Sequence, residues 1–370
     1  MSSEEIVDLF EEEVVEENNV VEIPKEMRSL RTQAYDKSVS DLVSMIKKND
    51  IVFNPEYQRN YVWDNKKASL LIESILLNIP IPVLYASEDD DGAWNIVDGL
   101  QRLNSLMNFY NGKFSLRGLE VLTELNLQKY EDLNLKAKRF LDGANLRVIL
   151  LFNDSNPEIK YDIFMRLNTG SVKLKEQELR NCLYRGELNE MIKEVIKDKI
   201  LLEIFNLKEP HKRMDDAELV LRYLAISEHF DKENGTINNY SGVMKSFLNV
   251  YMGSHKNITQ AERKSYKAKC INTFEKVYSI FGKNSFRKMT DGHYSGPINR
   301  SLMDVLMISF EDYSNDSLIM KKDDIEELYR SLPIKNKDFD DAITFSTSSK
   351  DILDYRISTW INELKIIMEN

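Results

Sequence analysis

The 370-residue chain predicts an α+β N-terminal part followed by an all-helical C-terminal region. Three observations carry that expectation. Short apolar runs of strand type ("IPVLYAS", "AWNIVDG", "NLRVILLF") alternate with helix-period segments before residue 187. Strand signals nearly vanish after it. Neither an internal repeat nor a low-complexity linker divides the chain. The expected organisation is an acidic N-terminal arm over 1–35, an α+β domain over 36–186, and a helical domain packed on it over 187–370.

Each element has a local reason. "VSDLVSMIKKNDIVF" places Val39, Leu42, Val43 and Ile46 on one helical face, with Ser38 or Ser40 as the cap. Asp64 caps "NKKASLLIESILLN", and Pro80 and Pro82 forbid its continuation. "IPVLYAS" and "AWNIVDG" form a hairpin through "EDDDG". The helix "QRLNSLMNFYNG" closes at Gly112. After "NLRVILLF", the segment "DSNPEIKYDIFMRLNTG" reads as a helix with Asp154 or Ser155 at its N-cap, and "LKEQELRNCLY" follows as another.

Composition narrows the function classes. With 42% hydrophobic residues the chain can bury a core without staples, and its two cysteines, Cys182 and Cys270, have no metal-like or disulfide spacing, which favours a reducing compartment, by default the cytoplasm. No apolar run reaches the ~18 residues of a membrane span. Residues 1–22 hold nine acidic and no basic residues, which leaves a charge of −2 for everything after them out of the total of −11. The block reads as a solvated arm, with mimicry of nucleic acid as the sharper alternative.

Three stretches carry chemistry. In "IVDGLQRLNSLMNFYNG" a strand ending in Gly99 feeds a helix, which aims free amides at the positive end of the helix dipole, an arrangement that binds phosphate. Arg102 supplies a planar charged fork, and Asp98 suits orienting Arg102, holding hydrated Mg²⁺ or positioning a water. The bland alternative is that Asp98 caps the helix and pairs with Arg102 at i,i+4. In "NPEYQRNYVW", Gln58 and Arg59 interleave with an aromatic row that would stack a base or simply seal the core. In "FMRLNTGSVKLKEQELRN", Arg166, Asn168, Thr169, Gln177, Glu178, Arg180 and Asn181 crowd one helix–turn–helix, facing a site or each other, with Arg166–Glu178 as a structural ion pair.

In this order, "NPEYQRNYVWD", "LIESILLNIPIPVLY", "IVDGLQRLNSL" and "FMRLNTGSVKLKEQELRN" resemble the N-terminal domain family of GmrSD restriction endonucleases over roughly residues 38–185. The resemblance implies a ParB/sulfiredoxin-like fold and a nucleotide-binding, often nucleotide-hydrolysing, module that couples recognition of DNA to cleavage. Asp98, Gly99, Gln101 and Arg102 match the family's Asp-Gly-Gln-Gln-Arg corner, and Leu100 replaces its first glutamine. Restriction members join or partner with an HNH-type nuclease. His211, His229, His255 and His293 are scattered here without metal-ligand spacing, so no such nuclease is expected in this chain.

The expected function is a nucleoside triphosphate-binding and hydrolysing sensor of a restriction-like or phage-defence system, with Asp98 and Arg102 catalytic. Gln58, Arg59, Gly99, Gln101, Arg166, Asn168, Thr169, Gln177 and Arg180 would hold the nucleotide, and Asp98 a Mg²⁺ ion. DNA is the expected partner, with a separate nuclease subunit and a homo-oligomer both compatible. The alternative is a catalytically inactive DNA- or nucleotide-binding adaptor working through a partner nuclease.

Overall fold

Five strands make the main sheet: β1 (Thr32–Ser38), β2 (Ile51–Val52), β3 (Leu84–Glu88), β4 (Trp94–Asp98) and β5 (Asn145–Leu151). The structure, a computed structural model, describes Phe10 and residues 30–52, 63–167, 175–290, 292–345 and 347–369. The strand order is β1-β5-β3-β4-β2, with β5/β3 and β4/β2 parallel and the other two pairs antiparallel. β3 and β4 are the expected hairpin. β1 begins inside the stretch read from sequence as the acidic arm. Its residues are largely exposed, so no apolar alternation announces it, and the Asp36 carboxylate fixes it to β5 by accepting Nε and Nη2 of Arg147 at 2.9 and 2.8 Å.

Helices α1 (Val39–Lys47), α2 (Asn65–Leu76), α3 (Leu100–Tyr110), α4 (Leu135–Gly143), α5 (Pro157–Leu167) and α6 (Glu176–Leu183) accompany the sheet. Short polar side chains start several of them. Ser38 Oγ accepts the Asp41 amide at 3.0 Å and Asp64 Oδ1 accepts the Lys67 amide at 2.8 Å. α5 departs from expectation, because Asn156 caps it by accepting the amides of Glu158 and Ile159 at 2.9 and 3.2 Å. Asp154 and Ser155 are used elsewhere, on the guanidinium and backbone of Arg31. Pro157 then fills the first helical position, where its missing N–H costs nothing.

Period-2 alternation splits the sheet's side chains between two cores. Leu84, Ala86, Ile96, Val148 and Leu150 pack with α1 to α4 on one face. Tyr85, Val97, Ile149 and Leu151 pack with Tyr161 and Phe164 of α5 and Leu179 of α6 on the other. The result is an α/β/α sandwich.

One buried carboxylate fixes the long connection after α3. Glu73 of α2 accepts the amides of Glu120, Val121 and Leu122 at 3.2, 2.8 and 2.8 Å. Burial by itself would raise its carboxyl, but the three amides outweigh that and hold it below the ordinary glutamate value. Replacing Glu73 by glutamine should cost about 1–3 kcal/mol near neutral pH, because an NH₂ group then meets backbone donors. A folded-state pKa lowered from 4.5 gives stability that is present above that pH and is lost as pH falls through the lower folded value. Denaturant melts of both proteins should therefore converge as pH falls below that lowered value; a gap that stays constant there would refute the role.

The described residues divide into two units. One holds 30–52, 63–167 and Leu179–Leu183; the other holds Phe10, Lys175–Glu178 and Tyr184 to 369. α6 is thus shared, and the division does not fall at 186/187.

The second unit contains α7 (Glu187–Val195), α8 (Lys199–Ile204), α9 (Asp215–His229), α10 (Met244–Ser254), α11 (Gln260–Phe281), α12 (Arg300–Phe310), α13 (Asn315–Met320), α14 (Lys322–Lys335), α15 (Lys337–Ala342) and α16 (Lys350–Glu369). It is not all-helical. Phe230–Asp231 pairs with Thr236–Ile237, and Lys288–Thr290 with His293–Ser295, as two small antiparallel hairpins. Such two- and three-residue strands are too short for a periodic sequence signal. Phe10, inside the acidic N-terminal block, is buried against the rings of Phe205 and His211 in this unit. At its centre Asp304 bridges two buried arginines: Arg222 Nε and Nη2 reach its two oxygens at 2.8 and 2.9 Å, and Arg356 Nη2 reaches Oδ2 at 2.6 Å. Both cysteines are buried, and neither forms a disulfide. Among the described residues no helix is long and apolar enough to cross a membrane.

Candidate functional site

The corner between β4 and α3 is built around one glycine. Gly99 has φ 104° and ψ 6°, a left-handed conformation that L side chains rarely adopt, and a Cβ there would run into Leu84 Cδ2 in the core. α3 starts directly from it, and no side chain caps the helix. The N-cap glycine itself offers the amides of the first turn no side-chain acceptor, at the positive end of the dipole.

Asp98 does not cap the helix. Its Oδ2 accepts Arg102 Nη2 at 2.8 Å, as the i,i+4 spacing predicts, while its side chain stays 44% exposed. Oδ1 takes no hydrogen bond among the described residues. Arg102 points inward. Its Nη1 donates to the Pro82 carbonyl and its Nη2 to the Val83 carbonyl at 3.3 Å, both just before β3, where the chain has not yet joined the sheet. Only 9% of the residue is exposed. Burial pulls the guanidinium below the ordinary arginine value, and Asp98 opposes that pull. The fork expected to grip phosphate is thus occupied by Asp98 and two carbonyls, a use that sequence reasoning missed because Pro82 and Val83 lie some twenty residues upstream; the only hint was the proline-broken "IPIPV".

Leu100, in the position where an amide was the family expectation, packs against the core. Gln101 Oε1 accepts the backbone N–H of Trp63 at 3.5 Å, which brings the end of the aromatic stretch to the corner. Gln58 and Arg59 themselves lie outside the described residues, as do Asn168 and Thr169.

The third stretch differs most from expectation. Arg166 ends α5 in an exposed position. Gln177, Glu178, Arg180 and Asn181 are all buried, Arg180 completely, with its guanidinium 5.9 Å from the centre of the Tyr161 ring. Glu178 takes Arg213 Nε at 3.0 Å and the Lys175 amide at 2.6 Å, and Lys175 Nζ reaches Asp215 at 2.8 Å. The density of amides and arginines here serves buried polar pairing rather than an open surface.

No group of three or more His, Cys, Asp or Glu side chains is arranged to hold a metal among the described residues. His211 pairs with Asp215 at 2.9 Å and His255 with Glu228 at 3.1 Å. A Mg²⁺ ion at the corner would rest on the single carboxylate Asp98 and draw its other ligands from phosphate and water, which suits that ion's habits.

What the geometry brings together is Asp98, Gly99, Gln101 and Arg102 at one helix start, with Trp63 beside it. No curated protein and no solved structure matches the chain. Residues 39–185 match the family model described as GmrSD restriction endonuclease, N-terminal domain.

Proposed function

We propose that residues 39–185 are a ParB/sulfiredoxin-like, nucleotide-binding module of a cytoplasmic restriction or phage-defence system acting on DNA. One observation carries the reading: an eleven-residue helix that starts from a left-handed glycine without a side-chain cap, beside a half-exposed carboxylate with one oxygen unused. The amides of Leu100 and Gln101 face the triphosphate, Asp98 carries Mg²⁺ or the attacking water, and Arg102 acts as a positioning residue that locks the corner. A separate nuclease subunit would perform cleavage.

The test separates phosphate binding from folding. Gln101→Glu puts a carboxylate in the first turn, which the dipole tolerates and phosphate does not, so the fold should persist while nucleotide affinity falls about tenfold or more. In a thermal-shift screen with Mg²⁺, the cognate triphosphate at ~100 times its Kd should add about 2.7 kcal/mol. Absence of a shift with every triphosphate, or an undiminished shift in Gln101→Glu, would remove the nucleotide from this corner. The internal engagement of Arg102 favours a second reading, an adaptor that binds nucleotide without hydrolysing it. Binding without phosphate release, with and without DNA, identifies that case.

A further inference from the structure

α15 and α16, in the second unit, enclose an open groove of about 380 Å³. Its floor is apolar, from Ala342 and Ile352, and two aromatic rings stand at its edge, Phe345 at 60% exposure and Tyr355 at 38%. Asp338, Asp341 and Asp351 complete the lining, and none of them takes a hydrogen bond or ion pair with its side chain among the described residues. Lys350, the neighbouring cation, is turned away, its Nζ donating to the Ile237 carbonyl at 2.6 Å.

Ordinary helix chemistry explains part of this. Asp338 and Asp351 sit in first turns, where the dipole favours acids. It does not explain Asp341, nor two exposed aromatics converging on one concave surface. Tyr355 is moreover fixed in place: its hydroxyl and the Asn336 side-chain amide exchange hydrogen bonds at 3.1 and 3.2 Å, while Asn336 Oδ1 also caps α15 through the Phe339 amide at 3.0 Å. A ring held before any partner arrives loses little entropy on binding.

We propose that this groove docks a lysine- or arginine-bearing amphipathic helix of a protein partner. The partner's apolar face lies over Phe345 and Tyr355, and its cations meet Asp338, Asp341 and Asp351. The chemistry is complementary on both counts: an apolar floor for the helix face, and three uncompensated carboxylates with aromatic faces for its cations. This surface is independent of the nucleotide reading and stands or falls without it.

The test uses the full chain, with a fluorescent amphipathic leucine–lysine helical peptide and its leucine–glutamate counterpart as probes in anisotropy titrations. The lysine peptide should bind and the glutamate peptide should not. Phe345→Ala and Asp341→Asn should each weaken binding about tenfold, whereas Asp323→Asn, an equal charge change on α14, should not. Equal binding of both peptides, no binding of either, or equal effects of Asp341→Asn and Asp323→Asn would overturn the proposal. So would a dimer in light scattering that disperses on Phe345→Ser, since the occupant would then be a second copy.

Discussion

Asp304→Asn is expected to destabilise the second unit by about 3–5 kcal/mol, because it leaves Arg222 and Arg356 charged and buried opposite a neutral amide. Breaking such a group from the acidic side is worse than removing it whole. Two arginines share one carboxylate here, so losing the carboxylate removes the attraction for both while their desolvation remains. Burial would push the Asp304 carboxyl up, but the two guanidiniums outweigh it and hold the group ionised below the usual range. The replacement should be read as a lowered denaturant midpoint in chemical unfolding. Replacing all three residues by apolar ones of similar volume should recover much of the loss. If Asp304→Asn matches the wild type within about 0.5 kcal/mol, the triad carries no weight in the fold.

Gly99→Val is the second large effect, at about 2–6 kcal/mol from backbone strain at positive φ together with overpacking against Leu84. Leu84 is fully buried, so pushing its side chain aside disturbs the core around it. Gly99→Ala should fall between wild type and valine, because alanine meets the same backbone angle and Leu84 contact with a smaller side chain. Melting series on the three proteins would show that order, and hydrogen exchange should locate the lost protection in α3 and β4. Equal stability of Gly99→Ala and wild type would mean that the corner has a different backbone.

How far the sequence revealed this architecture depended on distance along the chain. Ser38, Asp64 and Gly112 were legible because a cap and its hydrogen-bond partner lie within four residues. The Asp98–Arg102 pair was legible for the same reason. The two carbonyls that Arg102 also satisfies were not, since only the folded sheet brings residues 82 and 83 to it. β1 escaped notice because an exposed edge strand has no apolar face to alternate. The polar crowd at 175–181 was visible, but the partners it meets were not. What surrounds that helix comes from Tyr161, Arg213 and Asp215, which no local pattern could supply.

α6 also bears on how this protein can be cut. Its first residues are tied by Lys175 and Glu178 to Asp215 and Arg213, about thirty residues beyond the end of the family match, while Leu179 belongs to the sandwich core. A fragment trimmed at residue 185 would sever those ties and leave the side chains of Lys175 and Glu178 without Asp215 and Arg213. Gene fusions or truncations that respect the match but ignore the 211–215 turn should therefore yield insoluble protein, and exchange of this module between chains would have to carry that turn along.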